Sequence, residues 1–254
     1  MTNQLKIYFL GSGQIAVPVL KAVAVAPELR LLGVGTQLDR PAGRSRKPTP
    51  TPVGAAAEEL GLAVDKIPNV NAPEFLASLR AKQPDLVLVI SFGQILRRDF
   101  LELPPLGCIN IHASLLPRYR GASPITQCIL NRDAETGICF MRMERGLDTG
   151  PVYSSVRVPL DHREYGEMLE MKLGVIAAHV TPGTLCAIAA GELEPKPQDD
   201  TAATVCTKIR KSDGRINWAL SAYDIEAMVR AYYPWPGASC TILTTRGELP
   251  ITLT

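Results

Sequence analysis

The sequence predicts an α/β protein with a mostly parallel, Rossmann-like sheet, and three observations predict it. Short apolar runs alternate with helical segments over most of the chain. The runs, such as DLVLVI at residues 85–90, are apolar on both faces, as is typical of parallel strands covered by helices on both sides. The first run ends in a glycine-rich turn, GSGQIA at residues 11–16, and a helical pattern follows. The 254 residues suffice for one large domain and a smaller appendage.

Each element follows from its local pattern of apolar residues, glycines and prolines. The predicted strands are Lys6–Leu10, Leu31–Thr36, Asp85–Ile90, Gly107–Ile111, Thr136–Met143 and an edge strand, Val152–Val158. The predicted helices are Ile15–Val25, Val53–Leu60, Phe75–Lys82, one from an N-cap at Ser123 to Leu130, one around Leu169–Val180 that Pro182 ends or kinks, and Ala222–Ala231. A proline-rich basic loop is predicted from Gln37 to Pro52. The composition changes at ELEPKPQDDTAA to one that is typical of a linker. We therefore expect a first domain over residues 1–190, a linker over 191–209 and a β-rich segment over 210–254.

Composition excludes several classes of protein. The net charge is only +2, so nothing global indicates a nucleic acid or a membrane surface as partner. None of the six cysteines forms a Cys-x-x-Cys pair, so neither a zinc site nor a disulfide framework is indicated. The amino terminus does not resemble a signal peptide, and no apolar run approaches the roughly 18 residues of a membrane span. We expect a cytoplasmic protein.

The turn GSGQIA fits the dinucleotide-binding pattern, in which backbone amides at a helix start bind a pyrophosphate. An ordinary strand-to-helix turn fits the same residues. The second strand ends in Gly35-Thr36-Gln37, without an acidic residue to hold a ribose hydroxyl. A nicotinamide-dependent oxidoreductase is therefore the alternative from a different class.

Polar residues cluster where a predicted buried strand ends. Asn110 and His112 are two residues apart, so they lie on one face of the strand, at the carboxyl end where open α/β sheets place their active sites. Asp148, in the glycine-flanked GLDTG, could orient the imidazole, and an asparagine amide can stabilise an oxyanion. A solvated histidine and a common Asp-Thr-Gly turn are the ordinary alternatives. The loop Ser114–Pro117 offers apolar atoms and a fixed backbone, which would suit a flat heterocycle.

These residues resemble a known family. NIHASLLPRYRG at residues 110–121, with GLDTG at 146–150, is similar to the formyltransferases that use 10-formyltetrahydrofolate. The further phrases TQLDRPAGR at 36–44, FGQIL at 92–96 and PWPG at 234–237 resemble the methionyl-tRNA formyltransferase family in particular.

The resemblance implies a role for each matching residue. Asn110, His112 and Asp148 would be the catalytic trio. Phe92, Gln94 and Ile95 and the loop residues Ser114, Leu115, Leu116 and Pro117 would bind the folate co-substrate. Arg40, Arg44, Arg46 and Lys47 would contact phosphates of the acceptor, methionyl-tRNA, although a solvated loop is the ordinary interpretation of such charges. No metal is implied, and we expect a monomer without membrane association.

The sequence also departs from the family pattern. The first loop reads GSGQI where Gly-Thr-Pro is common, and Phe92 stands where tyrosine is usual. Residues 210–254 correspond to only the opening of the family's C-terminal tRNA-binding barrel. Alternatives are therefore a nucleotide-sugar amine formyltransferase, a glycinamide ribonucleotide transformylase, a folate-binding hydrolase, and a folate-binding module without transfer activity.

Overall fold

The structure is a computed structural model that describes residues 4–42 and 47–254. Its strands, within that part of the chain, are β1 (Leu5–Gly11), β2 (Leu29–Thr36), β3 (Arg40–Ala42), β4 (Lys47–Thr49), β5 (Val64–Lys66), β6 (Leu86–Ile90), β7 (Cys108–His112), β8 (Arg120–Gly121), β9 (Glu135–Arg142), β10 (Val152–Pro159), β11 (Val205–Cys206), β12 (Ala238–Thr244) and β13 (Gly247–Leu253). Its α-helices are α1 (Ala16–Val25), α2 (Pro52–Glu59), α3 (Pro73–Lys82), α4 (Arg98–Leu101), α5 (Pro124–Leu130), α6 (Gly166–Ala189) and α7 (Ala222–Ala231). Short 3₁₀ helices occur at Asp200–Ala202 and Lys211–Gly214.

A seven-stranded sheet forms the centre of the fold, in the order β10-β9-β7-β6-β1-β2-β5. The pairs β6–β1, β1–β2, β2–β5 and β7–β6 are parallel, and β9 runs antiparallel to β7. All five residues of β6 are buried, as expected for a strand covered on both faces. The predicted α/β class with a mostly parallel sheet is confirmed, and β10 is an edge strand as predicted.

The chain divides into two compact units. The first comprises Met1–His112, Ile138–Ser155 and Leu173–Gln198, and the second comprises Ala113–Gly137, Val156–Lys172 and Asp199–Thr254. In the first, an apolar cluster includes Tyr8, Leu10, Val87 and Phe100. In the second, Ile216, Met228, Tyr232 and Cys240 form a separate cluster around α7 and the hairpin β12–β13. The predicted division into 1–190, 191–209 and 210–254 stays a prediction.

Three local features differ in part from the expectations. Pro182 lies inside the continuous helix α6, because Ala177 and Leu185 on either side are fully buried and the buried Thr181 hydroxyl donates to the Ala177 carbonyl (2.6 Å). Ser123 is the N-cap residue of α5 and Pro124 its first residue, as predicted, but the Ser123 side chain makes no capping hydrogen bond. Part of the predicted basic loop is regular, since β3 and β4 pair antiparallel from Arg40↔Thr49 to Ala42↔Lys47.

Of the helices in the described part of the chain, α6 is the one whose length and mean hydropathy of 1.3 would suit a membrane span. Its Leu169, Leu173 and Leu185 are fully buried within the folded protein, whereas Met168 and Met171 are exposed. A one-sided pattern of this kind is typical of the core helix of a globular protein. The helix alone is weak grounds for a membrane span.

Candidate active site

Strand β7 carries two of the predicted catalytic residues and is paired on both sides. Val89 of β6 lies opposite Asn110 in the parallel register, and Cys139 of β9 lies opposite His112 in the antiparallel one. The backbone that carries Asn110 and His112 is therefore fixed from two directions. His112 is 6% exposed, and its side chain stands at the carboxyl end of the strand.

The structure brings the three predicted catalytic side chains together. Nδ2 of Asn110 donates to Oδ1 of Asp148 over 3.4 Å. Nδ1 of His112 lies 3.6 Å from Oδ2 of the same carboxylate, and both of these side chains are largely buried. The carboxylate thus faces the amide with one oxygen and the imidazole with the other. A carboxylate at Nδ1 orients the ring and leaves Nε2 as the nitrogen that points away from Asp148.

The loop between β9 and β10 holds Asp148 in an unusual backbone conformation. Asp148 has φ +52°, in the left-handed region that few residues other than glycine adopt. Gly146 has φ +130°, and a Cβ on Gly150 would lie 1.8 Å from the carbonyl oxygen of Arg142. Both glycines of GLDTG are therefore required by the geometry, and together they turn the Asp148 carboxylate towards β7.

A fourth side chain, which the sequence did not predict, closes this loop. Nε2 of Gln198 donates to the carbonyl oxygen of Asp148 (2.8 Å) and to that of Gly150 (2.7 Å). Just before Gln198, Lys196 and Val152 exchange two backbone hydrogen bonds of 2.9 and 2.8 Å. The sequence signal was weak, because Gln198 lies in a segment with the composition of a linker.

Of the predicted folate residues of the first unit, Phe92 lies in the core and Gln94 is partly buried. The Phe92 ring is 2% exposed and packs in the apolar cluster with Tyr8 and Leu10, so only its backbone could meet a ligand. The Gln94 side chain accepts from Val70 N (2.9 Å) and donates to Ile67 O (3.0 Å), which anchors the segment.

Ile95 is different, because 82% of its side chain is exposed. Its carbonyl accepts from the side chain of Asn71 over 2.8 Å, and Asn71 also accepts from Arg97 N. The segment after β6 is thus firmly held while presenting one aliphatic side chain to solvent.

The predicted folate loop of the second unit is stabilised by its own contacts and by a distant segment. The fully buried Ser114 hydroxyl donates to Arg118 O over 2.6 Å, and the peptide bond between Leu116 and Pro117 is cis. The Thr204 amide donates to Pro117 O (3.2 Å), and the Thr204 hydroxyl accepts from Tyr119 N (2.8 Å).

Tyr119 anchors the end of this loop. Its hydroxyl donates to Asp133 Oδ2 (2.6 Å) and accepts from Asn131 and Arg118, each at 2.8 Å. Burial, followed by the hydrogen bond to the Asp133 carboxylate, raises the pKa of Tyr119 to about 12. The RYRG phrase after the loop therefore has a structural role.

Two backbone amides of the glycine-rich turn are bonded within the protein. Ser12 N and Gly13 N both donate to the carbonyl of Ser91, at 3.1 and 3.2 Å. A Cβ on Gly13 would lie 2.3 Å from the Ser91 hydroxyl oxygen, so a larger residue here would require the Ser91 side chain to shift. Two amides of the dinucleotide-binding pattern are therefore used within the protein, which weakens the oxidoreductase alternative.

The predicted acceptor contacts fall partly on the hairpin of β3 and β4. Arg40 and Lys47 are exposed there, and Arg40 donates to the side chain of Gln37 (2.5 Å). Arg44 and Arg46 lie outside the described residues. Asp39 is paired with Lys66 at 2.8 Å, so its charge is neutralised by a residue that lies outside the hairpin.

Metal ligands were not expected. Among residues 4–42 and 47–254, no group of three or more His, Cys, Asp or Glu side chains is placed to hold a metal ion.

Comparison with known proteins identifies the family of this chain. The family described as formyl transferase matches residues 5–183, and the formyl transferase C-terminal domain matches residues 208–252. The methionyl-tRNA formyltransferase of Chloroflexus aggregans is 45% identical over 234 residues, which are 92% of this chain and 75% of that protein. The chain belongs to the methionyl-tRNA formyltransferase family. It is an enzyme of the formyltransferase class.

Other members of the family give the same result. The methionyl-tRNA formyltransferase of Roseiflexus sp. is 45% identical over 235 residues, 92% of this chain and 72% of that protein. The corresponding protein of Sorangium cellulosum is 44% identical over 238 residues, 94% of this chain and 76% of that protein.

Solved structures with low sequence identity share the fold. A sugar N-formyltransferase from Shewanella sp. superimposes with a TM-score of 0.73 at 17% identity, covering 99% of this chain and 98% of that one. The methionyl-tRNA formyltransferase from Clostridium thermocellum gives 0.67 at 13% identity, covering 99% and 98%. HypX from Aquifex aeolicus, solved with tetrahydrofolic acid, gives 0.65 at 15% identity, covering 95% of this chain and 36% of that one.

Proposed function

We propose that the protein transfers a formyl group from 10-formyltetrahydrofolate to the α-amine of methionyl-tRNA, for translation initiation. The observation that carries the proposal is the cluster of Asn110, His112 and Asp148 at the end of β7. An amide, an imidazole and a buried carboxylate are the groups that acyl transfer to an amine needs: an oxyanion donor, a proton carrier and an orienting anion.

The chemistry can be written for these residues. The neutral α-amine attacks the formyl carbon, a C–N bond forms, and the carbonyl oxygen becomes an oxyanion. The second hydrogen of the Asn110 amide and the His112 imidazole stabilise that charge. The amine then loses a proton, N10 of the folate gains one through His112, and the bond between the formyl carbon and N10 breaks. Asp148 holds the imidazole in position and stabilises its charged form. The reaction requires neither a metal nor a nicotinamide.

For the donor we propose two groups of residues, both suggested by the family resemblance. The first is the segment with Phe92, Gln94 and Ile95, where Ile95 offers an exposed aliphatic side chain and Gln94 fixes the backbone. The second is the loop of Ser114, Leu115, Leu116 and Pro117, which the hydroxyl of Ser114 and the backbone of Thr204 hold in shape. A fixed apolar surface with backbone polar groups suits a planar pterin.

For the acceptor, the hairpin with Arg40 and Lys47 would contact tRNA phosphates, together with Arg44 and Arg46, which lie between these two residues in the sequence. Residues 1–190 would act as the catalytic domain, 191–209 as a linker, and 210–254 as the start of the tRNA-binding domain. The site of translation implies a cytoplasmic protein without membrane association. Because one chain supplies the whole trio, a monomer is sufficient.

A sugar-nucleotide amine is the second candidate acceptor. The structural likeness to the sugar N-formyltransferase from Shewanella sp. favours it, since the same fold and reaction class can serve an amino sugar. The basic hairpin and the sequence identity of 44–45% to methionyl-tRNA formyltransferases favour the tRNA.

Single-turnover formyl transfer separates the two acceptors. The enzyme would be mixed with 10-formyltetrahydrofolate and either methionyl-tRNA or an amino-sugar nucleotide, and the loss of donor followed by absorbance. We expect product with methionyl-tRNA. Transfer to the amino sugar alone would move the enzyme to the sugar class, and donor binding without transfer to either would make the chain a folate-binding module.

Removal of the catalytic groups should lower the rate more than donor binding. We expect His112→Ala and Asp148→Asn to lower kcat by about 10²–10⁴, because proton transfer and oxyanion stabilisation are both impaired. The KM for the donor should change little. His179→Ala, on the exposed side of α6, is the matched control and should keep the full rate. A His112→Ala variant with near-normal turnover would refute the assignment.

A further inference from the structure

We propose that Gln198 is a positioning residue of the active site, acting through Asp148. The Gln198 side-chain nitrogen lies within hydrogen-bond distance of two carbonyl oxygens, those of Asp148 and Gly150, at 2.8 and 2.7 Å. Since both partners are acceptors, the amide must present its NH₂ group to them. Gln198 thus bridges the residue that carries the carboxylate and the glycine two positions further on.

The loop requires such a donor because of its backbone conformation. Asp148 has φ +52° and Gly146 has φ +130°, so the peptide groups of the loop do not follow the ladder of β9 and β10. A strained backbone conformation of this kind is kept only where several surrounding contacts hold it in place. The two hydrogen bonds of Gln198, and the backbone bonds between Lys196 and Val152 beside them, supply that constraint.

The Asp148 side chain makes this constraint matter for catalysis. Its two oxygens lie 3.4 Å from Asn110 Nδ2 and 3.6 Å from His112 Nδ1, and both separations are longer than an ordinary hydrogen bond. A rotation of the peptide group after Asp148 would move the carboxylate away from one partner or both. Displacements of about 1 Å at a catalytic group can cost about a hundredfold in rate.

The test is a substitution that removes the donor without adding a charge. This inference rests on the proposed catalytic role of Asp148. In Gln198→Met, which keeps the length of the side chain, we expect kcat to fall about 10- to 100-fold, with the KM values for donor and acceptor changed less than about twofold. Gln4→Met is the matched control, because Gln4 also donates to a backbone carbonyl, that of Pro27 (2.8 Å), but at the opposite end of the sheet. It should keep the wild-type rate.

A double-mutant cycle distinguishes positioning from general stability. If Gln198 acts through Asp148, Asp148→Asn alone and the double variant Asp148→Asn with Gln198→Met should have the same kcat within about twofold. If the losses in kcat from the two substitutions were additive, the proposal would be overturned. It would also be overturned if Gln198→Met kept the wild-type kcat while Asp148→Asn lowered it. A wild-type rate in Asp148→Asn would instead refute the proposed function. Rates are taken per folded molecule, and Gln198→Leu, which also removes the donor without adding a charge, replaces Gln198→Met if the latter does not fold. A normal kcat in that variant would also overturn the proposal.

Discussion

At the scale of single residues, the position of the proposed catalytic carboxylate, Asp148, depends on two glycines and a left-handed backbone. Conformations like that of Asp148 at φ +52° cost of order 1–3 kcal/mol in a residue other than glycine. The cost is offset locally, because Gly150 lets the chain pass against the Arg142 carbonyl and Gln198 binds the loop carbonyls. The geometry of the trio is therefore set by the backbone of the loop as much as by side-chain contacts.

The phenol of Tyr119 should make stability depend on alkaline pH. Its pKa is raised from 10.0 to about 12 in the folded protein, so the stabilisation is fully present below pH 10 and is lost as the pH rises from 10 to 12. Urea unfolding at a series of pH values measures this. Tyr119→Phe should lose about 1–3 kcal/mol at neutral pH, since Asp133 loses a buried donor, and should show a smaller decrease above pH 10.

The control for this experiment is Tyr223→Phe, at a side chain that is 74% exposed. It should follow the wild type throughout. If Tyr119→Phe kept the full alkaline decrease in the free energy of unfolding, the phenol would not be its source.

Site residues could be predicted where their sequence signal is local and could not where it depends on contacts that are distant in sequence. Asn110 and His112 could be predicted because strand periodicity and the carboxyl-end rule act locally. Gln198 could not, since its contacts with Asp148 and Gly150 span 50 and 48 residues of sequence. The Phe92 side chain was expected at the folate and is buried in the core, because a short apolar segment does not reveal which of its side chains points inward.

At the scale of elements, two short strands have more influence than their length suggests. Strand β11 pairs with β8 through Val205↔Arg120 and Cys206↔Gly121, and Thr204 extends this contact to Pro117 and Tyr119. The predicted linker thus contains residues that fix the shape of the proposed donor loop.

Removal of one hydroxyl from this contact should weaken donor binding. In Thr204→Val, Tyr119 N loses its acceptor, and we expect the KM for 10-formyltetrahydrofolate to rise about 5- to 10-fold with a smaller change in kcat. Steady-state kinetics with varied donor measure this. Thr204→Ser should restore the wild-type value, and Thr201→Val, whose hydroxyl bonds Asp199 instead, should not raise the KM. Equal KM values in Thr204→Val and the wild type would contradict a role of this contact in the donor site.

Most elements could be predicted from periodicity, and the exceptions have physical causes. The strands of the sheet other than β5, and helices α1, α2, α3, α5 and α7, begin and end within a few residues of their expected positions. Helix α6 continues through Pro182 because tertiary burial on both sides outweighs a local cost of about 3 kcal/mol. The pairing of β3 with β4 was missed, since two prolines in a basic run do not read as strands.

At the scale of the whole molecule, the small net charge conceals a local excess. The chain has a net charge of only +2. Asp39, the acidic residue next to the hairpin, forms its ion pair with Lys66 of β5. Arg40 and Lys47 are therefore not neutralised by it. Electrostatic attraction of an acceptor with many phosphates should arise from this hairpin and not from the overall charge.

Reversal of one hairpin charge tests this. In Lys47→Glu we expect the KM for methionyl-tRNA to rise about tenfold and its logarithmic dependence on salt to become shallower by about one to two, because phosphate contacts are lost. The rate at saturating acceptor should be kept. Lys21→Glu, at an exposed position of α1, makes the same change in net charge and should leave the KM unchanged. Equal effects of the two substitutions would assign the attraction to total charge.

The turn after β1 has a consequence for the design of inhibitors. Its Ser12 and Gly13 amides are saturated by the Ser91 carbonyl, so a diphosphate would have to displace that oxygen and forfeit two hydrogen bonds of about 1 kcal/mol each. Screening collections rich in nucleotide mimics, often chosen for sheets of this type, would therefore be poorly matched to this position. Neutral, flat heterocycles directed at the His112 end of the sheet are the better starting chemistry.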